Sequence, residues 1–146
     1  STREYIDARL PKSTQNKFGI GYFPKPGKNL NELISVVGES NLEEFSIVYP
    51  KYESNGTVKV GHFSEHNLIM PFKNVHGDII SLLGRSILSE HEQKENKLQK
   101  YKYTINADKE LYVFGLDDSK QSIIDKGYVI CFEGQFDHIT CQEYGI

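Results

Sequence analysis

Cysteine is scarce in this chain: there are two in 146 residues, Cys131 and Cys141, too few for a disulfide framework. Both fall in segments that read as buried, so reduced thiols in a cytosolic protein are the simplest expectation. No apolar run approaches the roughly 20 residues needed to span a bilayer, and nothing near the start reads as a secretory leader. Positive charge is also in short supply, with 17 Lys and Arg against 20 Asp and Glu and a net charge of −3. That balance advertises no general affinity for phosphate, although a basic groove can sit inside an acidic protein. Repeats and low-complexity tracts are missing, which excludes solenoids and biased linkers.

What is present suits one ordinary core: 38% apolar and 25% charged residues, at the commonest domain size. Tyr5, Ile6 and Leu10 recur at helical spacing over 2–10, and Pro11 ends that pattern. Ser13 or Thr14 caps a second short helical turn that runs to Phe18. The stretch 19–23 reads as a strand, stopped by Pro24 and Pro26. Leu30, Leu33, Ile34 and Val37 define an amphipathic helix closed by Gly38. Asn41 is expected to cap a further helix carrying Leu42, Phe45 and Val48.

From Tyr49 the period changes to that of strands. Asn55-Gly56 marks a hairpin turn, and the runs 68–72 and 78–83 form a second pair joined around His76-Gly77. The polar stretch 90–99 is expected to be a solvated loop. A helix over 117–126, with Ile123 and Ile124 facing inward, leads into 128–132, which reads as a buried strand. Glu133-Gly134 follows, and a last helix begins at Gln135. Ligands of open α/β sheets gather outside the carboxyl ends of strands, so Glu133 is placed for chemistry. Opening on Ser1 and ending on a strand–helix unit with no strand to return to, the chain reads as a piece of a longer protein.

Taken in order, these segments resemble the catalytic core of bacterial DnaG-type DNA primases over nearly the whole length. Tyr5 to Arg9 and then Lys17-Phe18-Gly19-Ile20-Gly21-Tyr22 are similar to that family's opening helix and strand. Leu68-Ile69-Met70-Pro71-Phe72, His76-Gly77-Asp78-Ile79-Ile80 and Gly84-Arg85 resemble its central strand pair. Lys102-Tyr103, Asn106, Lys109, Phe114-Gly115-Leu116, Ser119-Lys120 and Ile123 follow in family order. Glu133-Gly134-Gln135-Phe136-Asp137 resembles the first motif of the Toprim fold. The implied architecture is α+β: small helices and a mixed or antiparallel sheet over 1–116, then the first β–α unit of a truncated Toprim α/β subdomain over 117–146.

The resemblance implies part of an enzyme that builds short RNA primers on single-stranded DNA during replication. Its substrates would be ribonucleoside triphosphates, and a replicative helicase its expected partner. The compartment implied is the cytoplasm, in a bacterial, phage or mobile-element replication apparatus. Nucleotidyl transfer uses metal ions held by carboxylates, so Mg²⁺ or Mn²⁺ is implied in the complete enzyme, and zinc only in an upstream domain. Glu133 is the implied catalytic residue and, with Asp137 one helical turn onward, the implied metal ligand. Arg85, Lys102, Tyr103, Asn106 and Lys109 are the implied nucleotide and nucleic-acid contacts. Lys100, Lys102 and Lys109, interleaved with Tyr101 and Tyr103, suit a single strand whose phosphates need cations and whose bases need rings.

One departure stands out. Where the family carries an arginine-rich segment before its central strand, this chain has 62–67, with Phe63, Glu65 and Asn67 at expected arginine positions. Phe114 stands for a usual tyrosine. A divergent primase, inactive as this piece alone, is the leading expectation. The alternative is a non-catalytic nucleic-acid-binding or replication-scaffold domain. His62 and His66 lack a third ligand at zinc spacing and read as structural or surface histidines, and His138 as helix surface. Gly19-x-Gly21 lacks the third glycine of a dinucleotide fingerprint.

Overall fold

The structure, a computed structural model, describes residues 1–105 and 107–146, with the backbone alone of Lys109. Its centre is a four-stranded antiparallel sheet in the order β1-β4-β5-β6, formed by Gly21–Tyr22, Leu68–Lys73, Ile79–Arg85 and Tyr101–Tyr103. Along β4 burial alternates: Leu68, Met70 and Phe72 are buried and the residues between them half-buried, the period-2 signature of a strand. Leu68, Met70 and Leu83 pack on one face against Ile6, Leu10, Phe18 and Ile139. These last come from α1 (Thr2–Asp7), the residues around α2 (Lys12–Lys17), and α7 (Gln135–Glu143). On the other face Ile69 and Leu82 meet Phe23, Leu30, Leu42, Val48 and Phe63. Both faces are covered, which explains why Leu82 and Leu83 are consecutive and both apolar.

That second core is roofed by α3 (Lys28–Val37), α4 (Glu39–Glu44) and the hairpin of β2 (Val48–Glu53) and β3 (Gly56–Gly61). The hairpin turns through Ser54 and Asn55, one residue earlier than expected, because Glu53 pairs directly with Gly56 at φ 127°. Gly38, at φ 93°, ends α3 and starts α4, so the expected cap at Asn41 lies inside the helix, and Val48 opens a strand instead. Lys59 ties β3 to α4 through Glu39 at 2.6 Å and through Glu43.

Further expectations are corrected. The stretch expected as a loop contains α5 (Glu90–Glu95), whose Ser89 and Glu92 form a reciprocal capping box that satisfies otherwise orphaned amides. The run 128–132 is not a strand. Among the described residues no strand lies beside it to pair its backbone, and Tyr128, Val129 and Ile130 are more than half exposed. Cys131 is accordingly exposed, against expectation. On α6 (Leu116–Lys126), Ile123 is half-buried but Ile124 points to solvent at 72% exposure.

Candidate functional site

The ends of β5, α1, β6 and α7 converge on a pocket of about 350 Å³ lined by Tyr5, Arg9, Arg85, Lys100, Tyr101, Phe136 and Asp137, among others. Arg85, the last residue of β5, is its centre. The guanidinium carbon lies 4.4 Å from the Phe136 ring centre, 5.5 Å from Tyr101 and 5.7 Å from Tyr5. Such ring contacts hold the flat cation in one orientation. Its Nη1 donates to the Tyr101 hydroxyl at 3.3 Å, while the buried Nε has no partner. A buried donor without an acceptor is uncommon in folded proteins. Arg9, which stacks 3.7 Å from the Tyr5 ring centre, and Lys100 add positive charge on the same pocket. Burial raises the Tyr101 hydroxyl pKa, which keeps it a neutral donor.

Gly84 is what lets the neighbouring loop close on this strand. A Cβ there would stand 2.8 Å from the carbonyl oxygen of His66 and against the Phe63 ring. Arg9 and Tyr5 were not among the expected site residues, whereas Lys100 and Tyr101 belong to the basic–aromatic cluster read from the sequence. The readable signal was the Tyr5–Arg9 spacing of four on a helical stretch, which puts ring and cation on one face.

Strand β6 divides its side chains. Tyr101 and Tyr103 pack at the margin of the core, whereas Lys102 turns the other way and its Nζ donates to the His62 carbonyl at 2.8 Å. Burial lowers the Lys102 pKa. Lys102 therefore does not share the pocket of Arg85. Asn106 lies outside the described residues, as does the side chain of Lys109, whose backbone opens a 3₁₀ turn, Lys109–Leu111. His62 and His66 are buried and bond main-chain carbonyls of Tyr103 and Gln99 at 2.7 and 2.8 Å, the structural one of the two roles expected of them.

The two carboxylates expected to act together stand on either side of Gly134, where an added Cβ would lie 2.6 Å from Asp137 Oδ2. Asp137 lines the Arg85 pocket, while Glu133 lines a mostly apolar pocket of about 420 Å³ with Phe72, Tyr103, Phe114 and His138. Glu133 precedes α7 and Asp137 lies in its first turn, so helical spacing does not relate them. Among the described residues no group of three or more His, Cys, Asp or Glu could hold a metal ion. His138 is not surface: it packs edge-on against Phe18 and Phe114, its Nε2 is buried without a partner, and burial lowers its pKa. It fills the space above Gly115, where φ is 77° and a Cβ would collide with the imidazole.

The family model that matches is that of the DNA primase catalytic core, N-terminal domain, over residues 1–120. The DNA primase of Aquifex aeolicus is 25% identical over 149 residues, covering 98% of this chain and 28% of that protein. The DNA primase of Thermotoga maritima is 28% identical over 145 residues, covering 99% of this chain and 24% of that protein. The chain thus spans about a quarter of the length of these curated relatives. The crystal structure of the zinc-binding and RNA polymerase domains of the Aquifex aeolicus primase superposes with a TM-score of 0.70 at 26% identity, over 94% of this chain and 32% of that one. A DnaG primase catalytic domain bound to single-stranded DNA matches in fold, with a TM-score of 0.69 at 21% identity over 99% of this chain and 45% of that one.

Proposed function

The chain belongs to the DNA primase catalytic core family, N-terminal domain, and from that premise we propose that it handles template and nucleotide in an enzyme that synthesises RNA primers on single-stranded DNA. The observation that carries this reading is the Arg85 pocket, where a ring-clamped guanidinium sits beside Arg9 and Lys100. A phosphate there receives charge-assisted hydrogen bonds, and the rings of Tyr5, Tyr101 and Phe136 form walls on which a base can stack. Lys102 and Tyr103 are further proposed contacts, on the two opposite faces of β6. Residues 1–116 act as the binding subdomain and 117–146 as the start of a Toprim unit. Ribonucleoside triphosphates are the proposed substrates and a replicative helicase the proposed partner, in the cytoplasm. Among the described residues no helix is long and apolar enough to cross a membrane.

Among the described residues no group of three or more His, Cys, Asp or Glu could hold a metal ion, so the residues present do not by themselves fit a resident Mg²⁺ or Mn²⁺. No step through a metal is derived from them. Glu133 is proposed to act together with groups beyond these residues.

The test is primer synthesis from labelled ribonucleotides on a single-stranded template by the full protein. Arg85→Ala is expected to lower synthesis at least about a hundredfold, the scale of losing one preorganised donor to a transferring group, with folding intact. Synthesis at the wild-type rate would overturn the assignment. A second reading, a nucleic-acid-binding scaffold, is favoured by Phe63 and Glu65 standing where arginines are expected. It predicts single-strand binding that Arg85→Ala weakens, with no synthesis by the wild-type protein.

A further inference from the structure

The loop between β3 and β4 clasps the free edge of the sheet. Ser86 N–H donates to the Lys100 carbonyl and Thr104 N–H to the Leu82 carbonyl, each at 3.0 Å, and Gly84 stands opposite Lys102. In an antiparallel ladder the alternate residues then turn their backbone groups outward, so the Gln99 and Tyr103 carbonyls face away from β5. Those two are the ones that the histidines reach: His66 Nε2 lies 2.8 Å from Gln99 O, and His62 Nε2 2.7 Å from Tyr103 O. A carbonyl only accepts, so each ring carries its proton on Nε2. The lysine between them returns the contact, Lys102 Nζ donating to His62 O at 2.8 Å.

Three bonds therefore link the six-residue loop 62–67 to β6 and to Gln99 just before it. The loop is anchored from below by Phe63, fully buried, and by Gly84, whose missing side chain lets His66 and Phe63 sit against the strand. Edge strands this short hold their pairing weakly by themselves. We infer that His62 and His66 are positioning residues for the nucleic-acid-contacting surface of β6, and that they set the register and the side-chain direction of Lys102 and Tyr103. This inference rests on the reading of β6 given above. Burial lowers the pKa of both rings, which keeps the clasp neutral near pH 7. The charges around it are Lys102 and Glu65.

The test compares three variants of the full chain by fluorescence anisotropy with a labelled oligo-dT single strand, across a salt series. His62→Gln with His66→Gln keeps an N–H donor at a similar reach and is expected to bind within about twofold of wild type. His62→Leu with His66→Leu keeps volume but removes both donors. It is expected to bind about tenfold more weakly, with the slope of log K against log salt reduced by about one, as for one lost phosphate contact. Faster amide exchange at Lys102 and Thr104 should accompany it. The single His62→Leu variant supplies the same comparison if the double one does not fold. Lys102→Ala is the control: unchanged binding there overturns the reading of β6 and the clasp's role with it. Weakened binding by Lys102→Ala beside a leucine pair at wild-type affinity and salt slope overturns the clasp alone.

Discussion

The guanidinium carbon of Arg85 lies 4.4 Å from the centre of the Phe136 ring, so the carboxyl end of β5 and the first turn of α7 meet through one cation–π contact. The pocket exists because of that meeting: its cations come from α1, β5 and the approach to β6, and its carboxylate, Asp137, from α7.

Arg85→Lys keeps the charge and loses the planar fork. An ammonium offers donors from a point and stacks poorly on three rings. Single-strand binding by anisotropy is expected to fall about tenfold, equivalent to about 1.4 kcal/mol, while the melting temperature moves little. Full affinity in Arg85→Lys would reduce the site to a simple positive charge.

Gly84→Ala places a methyl group 2.8 Å from the His66 carbonyl oxygen and against the Phe63 ring. The carbonyl belongs to a loop held on both sides, so the strain is not relieved by a side-chain swing. Overpacking of this kind costs about 1–3 kcal/mol, read as a lower urea midpoint at unchanged m-value. A midpoint equal to wild type would mean that the loop is looser than its hydrogen bonds indicate.

Much of this fold was legible from periodicity, and the failures share a cause. The central pair 68–73 and 79–85 announces itself by two short apolar runs around His76-Gly77, and α3 by its three-four spacing, because each buries its own pattern. The run 128–132 has the composition of a buried strand, yet strand formation needs a partner, and composition carries no information about one. The helix 90–95 lacks an apolar face, but Ser89 and Glu92 stand three apart in capping-box spacing, a signal outweighed by its polarity. Within the site, Arg85 was readable as a cation at a strand end. That Asp137 lines the pocket of Arg85 was not, since it depends on where α7 lies relative to the sheet.

Stability should fall on mild acidification. Burial lowers the pKa of His62, His66 and His138 below the ordinary 6.5, so the unfolded chain takes up protons first. Stability is then complete above about pH 7 and declines as pH drops through 6.5 toward the depressed folded values. The carbonyl bonds of His62 and His66, and Asp117 and Asp118 near His138, oppose the shift without reversing it. Asp7, Glu4 and Glu92 are held below their ordinary values, so their losses begin at lower pH. Urea midpoints between pH 7.5 and 5 check this, and a flat profile across that range would contradict it.

Phe63 occupies a position where the family resemblance expects arginine, and restoring arginine tests what replaced the lost charge. The ring is fully buried, lies edge-on to Phe23 at 5.8 Å and His62 at 4.8 Å, and belongs to the core cluster with Leu30, Leu42 and Val48. No carboxylate is among those neighbours. A guanidinium there is either desolvated without a partner or forced outward, leaving a cavity beside Gly84, and both outcomes disrupt the loop that carries His62 and His66. Phe63→Arg is expected to cost about 3 kcal/mol or more, the scale of emptying a buried phenylalanine site, and to weaken single-strand binding despite the added positive charge. Chemical denaturation and anisotropy on the same preparation check both. A stable Phe63→Arg protein that binds more tightly would show that the cationic surface is recoverable and that the aromatic core around Phe63 is dispensable.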